Sequence, residues 1–91
     1  MKKITIEISD KPYEVLVADT DETRRRGLMG IKSMPHNKGM LFKWDDEGRR
    51  DMWMKDTLMD LLQIFLNKDL EVIKTAKRKS LDEELIGCDG V

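Results

Sequence analysis

One stretch limits the fold more than any other. Residues 39–66, GMLFKWDDEGRRDMWMKDTLMDLLQIFL, contain both tryptophans, both phenylalanines and four of the seven methionines of the chain. Met40-Leu41-Phe42-Lys43-Trp44 reads as a strand, and Asp45-Asp46-Glu47-Gly48 as a tight acidic turn. Arg49 to Lys55 reads as the returning strand, with Asp51, Trp53 and Lys55 on one pleat and Arg50, Met52 and Met54 on the other. Asp56-Thr57 interrupts it. Leu61 to Leu66 is almost wholly apolar and suits a central strand covered on both faces. A buried helix over 57–66 is the rival reading, because Leu58, Leu61, Leu62 and Phe65 share a helical face.

The flanks agree with a mainly β chain. Ile4, Ile6 and Ile8 alternate with Thr5, Glu7 and Ser9, the period of a half-buried strand. Asp10-Lys11-Pro12 is turn chemistry, and Tyr13 to Ala18 is the return, apolar on both faces and so the more buried partner. At Asp19 the pattern changes. Asp19 or Thr20 caps a short helix over about residues 20–29, with Asp21 and Glu22 in its first turn and Arg24, Arg25 and Arg26 toward its end, where the helix dipole favours each sign. Gly27 and Gly30 keep it short. Residues 33–38 form a loop. Asn67-Lys68-Asp69 is a hairpin turn before a strand from Leu70 to Thr75. Ser80 and Glu83 have capping-box spacing, so the tail either forms a short C-terminal helix ended by Gly87 or frays.

A chain of 91 residues makes one domain, residues 1–91, and buries roughly 60–65% of its unfolded surface. The expected architecture is a small antiparallel β-sandwich or barrel with one short helix. Charged residues make up 38% of the chain, yet the net charge is −1. A nucleic-acid binder usually carries a basic excess, so nucleic acid is disfavoured. The single cysteine, Cys88, has no intrachain partner, and one histidine, His36, with that cysteine gives no zinc set. No apolar run approaches a transmembrane span or a signal peptide. A cytoplasmic protein without metal, cofactor or membrane partner is the expectation.

Three blocks then become meaningful together. Arg26-Gly27-Leu28-Met29, Gly39-Met40-Leu41-Phe42 and Trp53-Met54-Lys55-Asp56-Thr57-Leu58 closely resemble, in order and spacing, the motifs of domain of unknown function 192, a family found in bacteria, archaea and some phages. The match runs over about residues 13–75. The resemblance implies a mostly β, barrel-like sandwich with a short helix at the first block, and no established enzyme activity. Met52 stands where the family usually has phenylalanine, Asp56 where it has asparagine, and Asp60 and Leu62 where it often has proline and aspartate. The family commonly continues past the apolar strand with a cysteine and a further strand that ends the fold; Cys88 resembles that cysteine, so this member is expected to be shortened, with a sheet edge left open or closed by another chain.

Candidate chemistry gathers at the interruption. An aromatic beside projecting charges suits a ligand groove, and charges within an apolar run call for a partner or a site. The expected function is a non-enzymatic binding or accessory module, with a groove rimmed by Trp53, Lys55, Asp56, Thr57 and Arg24, Arg25 and Arg26. An anionic or sugar-like small molecule, or an extended peptide, would suit its aromatic-plus-cation chemistry. For Trp53 the plain alternative is a core residue with Lys55 laid along it; for the arginines it is a solvated helix face. The methionines either line an adaptable groove or fill core gaps. Two other functions stay open: an interaction protein that completes its sheet by homodimerisation or a partner strand, and an enzyme using Lys55 with Asp51 or Asp56.

Overall fold

The computed structural model describes residues 1–91 as seven strands and one helix. β1 (Lys3–Ile8) and β2 (Lys11–Ala18) form an antiparallel hairpin. The isoleucines of β1 are half-buried and the residues between them exposed, as the alternation predicts. The turn lies one step earlier than the proline suggests. Ser9 and Asp10 both have positive φ, 51° and 65°, which is the backbone of a two-residue hairpin whose twist matches its strands. Lys11 and Pro12 therefore belong to β2. Val15, Val17 and Ala18 of β2 are buried, making it the best-covered strand.

The helix α1 (Asp21–Arg26) is shorter than the predicted 20–29. Thr20 caps it, and Thr20 and Thr23 exchange reciprocal hydrogen bonds between side chain and backbone. Gly27 ends it with φ 49° and ψ −129°, a conformation that a side chain would strain. A β-carbon there would also stand 3.2 Å from the Phe42 ring, so the glycine of the first motif seats the phenylalanine of the second.

α1 lies within a crossover. β3 (Lys38–Phe42) pairs with β2, in parallel, giving a three-stranded sheet in the order β1-β2-β3. The hairpin expected between residues 39 and 55 is thus absent, and one pair departs from the antiparallel rule. β4 (Arg50–Met52) pairs instead with β7 (Ile86–Cys88). Asp51 faces Gly87, where any β-carbon would collide with the Asp51 carboxylate. β5 (Leu61–Leu66) and β6 (Val72–Arg78) form a separate two-stranded ribbon. The apolar run is a strand, not a helix, but it is not central: Leu62 is 56% exposed.

The tail is ordered and contains no helix. Ser80 N–H donates to the Asp60 carboxylate at 2.8 Å, Leu81 has φ 64°, and the Asp82 side chain accepts from Glu84 N–H at 2.9 Å. The groups that would have opened a helix are satisfied by turns and by a distant strand. Arg78, 3% exposed, joins these parts. Its guanidinium donates to the carbonyls of Met52 and Glu84 and to the side chain of Gln63, so it spans β4, β5 and the tail. It has no carboxylate partner; neutral oxygens solvate the buried charge.

Candidate functional site

The third motif folds as a turn. Thr57 N–H donates to the Met54 carbonyl at 3.1 Å, and Asp56 has φ 53°, a conformation that aspartate and asparagine accept better than most residues. The interruption in the apolar pattern is therefore a reversal of the chain and not a pair of charges inside a strand. Three anchors fix it. Gly30 N–H donates to the Asp56 carbonyl, Leu81 N–H donates to the Thr57 carbonyl, and Met54 N–H donates to the Asp82 carbonyl. The turn therefore touches the loop leaving α1 on one side and the tail on the other.

Within it, exposure alternates. Met54 is fully buried, and its sulfur accepts from Gln63 Nε2 at 3.7 Å. Gln63 in turn accepts from Arg78, so a polar chain of three side chains holds Met54 in place. Thr57 is buried, with its hydroxyl on the Lys55 carbonyl. With Met54 and Thr57 inside, Trp53 and Lys55 project outward. Trp53 is 42% exposed, and the Lys55 ammonium lies 5.3 Å from the centre of its ring.

A cavity of about 740 Å³ opens beside this turn, between the three-stranded sheet with α1 and the β5 side of the ribbon. Its wall includes Arg24, Arg25, Arg26, Trp53, Lys55 and Thr57, whereas Asp56 is not part of it. All six methionines after the initiator line it: Met29, Met34, Met40, Met52, Met54 and Met59. Only eight of the 91 residues are buried, so this cavity occupies the place where a small domain would ordinarily close its core.

Two residues on the wall that the sequence reading did not single out for the site are Trp44 and Arg50. Trp44 carries the Arg50 guanidinium at 4.5 Å and that of Arg24 at 5.5 Å, and stacks on Phe42 with ring centres 6.5 Å apart. Arg50 also donates to the Asp46 carboxylate at 2.8 Å, and Arg24 to Asp21 at 2.9 Å. The acidic turn beside Arg50 was the available signal. The hydrogen bond from Arg50, reinforced by its charge, holds the Asp46 carboxyl below its ordinary pKa. Elsewhere, a hydrogen bond from Lys3, with the charge of Lys38, lowers Glu14, and the Asp51 carboxylate raises Arg49.

The pairing of Lys55 with Asp51 or Asp56 is not formed. Asp51 is bridged instead by Arg49 at 3.2 Å. No group of three or more His, Cys, Asp or Glu side chains is placed to hold a metal ion. No helix is long and apolar enough to cross a membrane.

Comparisons with known proteins agree with this architecture. The family model of domain of unknown function 192, described as "Uncharacterized ACR", matches residues 3–89. No curated protein matches the sequence. A crystal structure of a Sinorhizobium meliloti protein provisionally labelled a transcription regulator superposes with a TM-score of 0.85 at 24% identity, over 93% of this chain and 69% of that one. A Novosphingobium aromaticivorans protein of unknown function gives a TM-score of 0.82 at 22% identity, over 94% of this chain and 64% of that one. At such identities the likeness concerns the fold.

Proposed function

The chain belongs to the family domain of unknown function 192, a family without an assigned activity, and from that premise we propose that it is a non-enzymatic binding module whose ligand occupies the cavity beside the Trp53–Thr57 turn. One observation carries the proposal. Arg24, Arg25, Arg26, Trp53, Lys55 and Thr57, which are dispersed in sequence, lie on the wall of one cavity. A cavity of about 740 Å³ is within the size range of sites for small ligands. Lys55 and Trp53 stack outward and give its mouth an aromatic and a cationic face. The regulator label of the Sinorhizobium protein would favour a nucleic-acid surface, but a net charge of −1 favours a ligand-binding part over a DNA-binding one. A titration of ¹⁵N-labelled protein with a fragment library tests the reading. The indole N–H signals of Trp53 and Trp44 are expected to move together. Shifts confined to other surfaces, or none across the library, would remove it.

A second reading has its own observation. The β5–β6 ribbon pairs with no other strand and leaves Leu62, Val72 and Ile73 exposed. Such an edge can add a strand from a second copy or a partner. Light scattering that gives a monomer mass at every concentration would exclude the homodimer.

A further inference from the structure

We infer that the cavity takes an elongated aliphatic molecule ending in a carboxylate, of the medium-chain fatty acid class. The inference rests on the reading that this cavity is the binding site and names what fills it.

The wall specifies the body of the ligand. Twenty-one of the 35 lining residues are hydrophobic, so most of any guest would meet hydrocarbon or sulfur. Met54 is buried and held by Gln63, but the other five methionines give that wall unbranched, polarisable side chains that shift to fit a flexible chain. A sugar or a nucleobase needs free, fixed hydrogen-bonding groups. Among the uncharged polar side chains that are buried or half-buried on the wall, Gln63 is committed to Arg78 and Met54, and Thr57 to the Lys55 carbonyl, which leaves only the Tyr13 hydroxyl and the Trp44 indole N–H free, a sparse set for reading either. The volume is also far above the ~150 Å³ of a cavity left by removing one large side chain.

Charge specifies the end of the ligand. Six lining side chains are cationic and two, Asp51 and Asp60, are acidic, although the chain as a whole is at −1. Asp51 is paired with Arg49, whereas Asp60 accepts only from the backbone N–H of Ser80 and keeps its single charge. Among the cations, Arg25, Arg26 and Lys55 have no ion-pair partner. The hydrogen bond from Gly30 to Asp56 ties the loop after α1 to the turn that carries Lys55. The unneutralised charge at the cavity is thus positive, and a guanidinium matches a planar carboxylate with two parallel hydrogen bonds. Because these cations are exposed, apolar contact would supply most of the affinity and charge would select among chains of equal length.

The experiment uses the whole chain, labelled with ¹⁵N and with ¹³C in the methionine methyls, and three probes below their micellar concentrations: decanoate, decanol and decyltrimethylammonium. Decanoate is expected to move the methionine methyl and both indole signals, and to bind about five-fold more tightly than either other probe, the factor equivalent to about 1 kcal/mol for an exposed ion pair. In the triple variant Arg25→Gln, Arg26→Gln, Lys55→Gln, that preference should vanish while decanol binding and the melting temperature hold. Equal affinity for all three probes overturns the carboxylate assignment and leaves the cavity a binding site. Failure of all three alongside binding of unrelated fragments overturns the aliphatic assignment. Failure of the three probes and of the fragment library together is instead the failure of the binding reading itself.

Discussion

The two tryptophans solve the same problem in opposite ways. Each carries a cation over its ring, but Trp44 is held between Arg50 and Arg24, whereas Trp53 meets only Lys55. The two arginine side chains are 14% and 18% exposed and are both bound to carboxylates. Lys55 is exposed and unpaired, on a tryptophan that is 42% exposed. At Trp44 the cation–aromatic contact is spent on closing the β3–β4 connection onto α1. At Trp53 the same chemistry faces outward. A stacked cation therefore indicates structure or a free surface only once its other partners are known.

The largest test removes what separates the two regions. Arg78→Met would leave the Met52 and Glu84 carbonyls and the Gln63 side chain without their donor, and would free Met54 beneath Trp53. A loss of about 3 kcal/mol is expected in urea unfolding, with Trp53 emission shifting and Trp44 emission holding. If both indoles respond alike, the two regions are one unit and the contrast is void. Next in size, Trp44→Ala should cost about 2 kcal/mol, somewhat under the usual figure for a fully buried tryptophan because it is half-buried. Trp53→Ala should cost under about 1 kcal/mol yet reduce ligand-induced shifts. Equal losses of stability would show that Trp53 is a core residue after all.

The smallest effect is that of pH. Asp46 titrates below its ordinary value of 3.8 because of Arg50, so its contribution to stability is complete above that value and is lost as pH falls through the lowered pKa. No arginine stacks on Trp53: the nearby Arg49–Asp51 pair leaves its ring to Lys55. In Trp53→Phe the remaining Trp44 emission should change on acidification below about pH 4, whereas in Trp44→Phe the Trp53 emission should not show this step. A shared acid transition in both variants would contradict the contrast.

Local features of the chain were legible from its residues. The alternation of Ile4, Ile6 and Ile8 marks β1, and Thr20 with its acidic and basic turns marks α1, because each signal lies within one element. The two hairpins, β1 with β2 and β5 with β6 across Asn67-Lys68-Asp69, were legible too, but pairing between distant strands was not. That β3 lies parallel to β2, and that β4 waits for β7, depends on distant segments which carry no mark of each other. Leu61 to Leu66 announces two apolar faces, but not that the whole strand borders a void and that Leu62 is left open to solvent. Ser80 and Glu83 have the spacing of a helix start, but Asp60 captures the Ser80 amide. At the candidate site, Trp53 and Lys55 stood out because charge interrupts an apolar pattern. The methionines did not, because packing and lining use the same side chain.

The anchors of the Met54–Thr57 turn also set an order of assembly. Its amides and carbonyls are bonded to Gly30, Leu81 and Asp82, none of them near in sequence. Contacts of that separation form late, after loop closure has been achieved elsewhere. The wall bearing Trp53 is therefore complete only once residue 82 has been synthesised and docked.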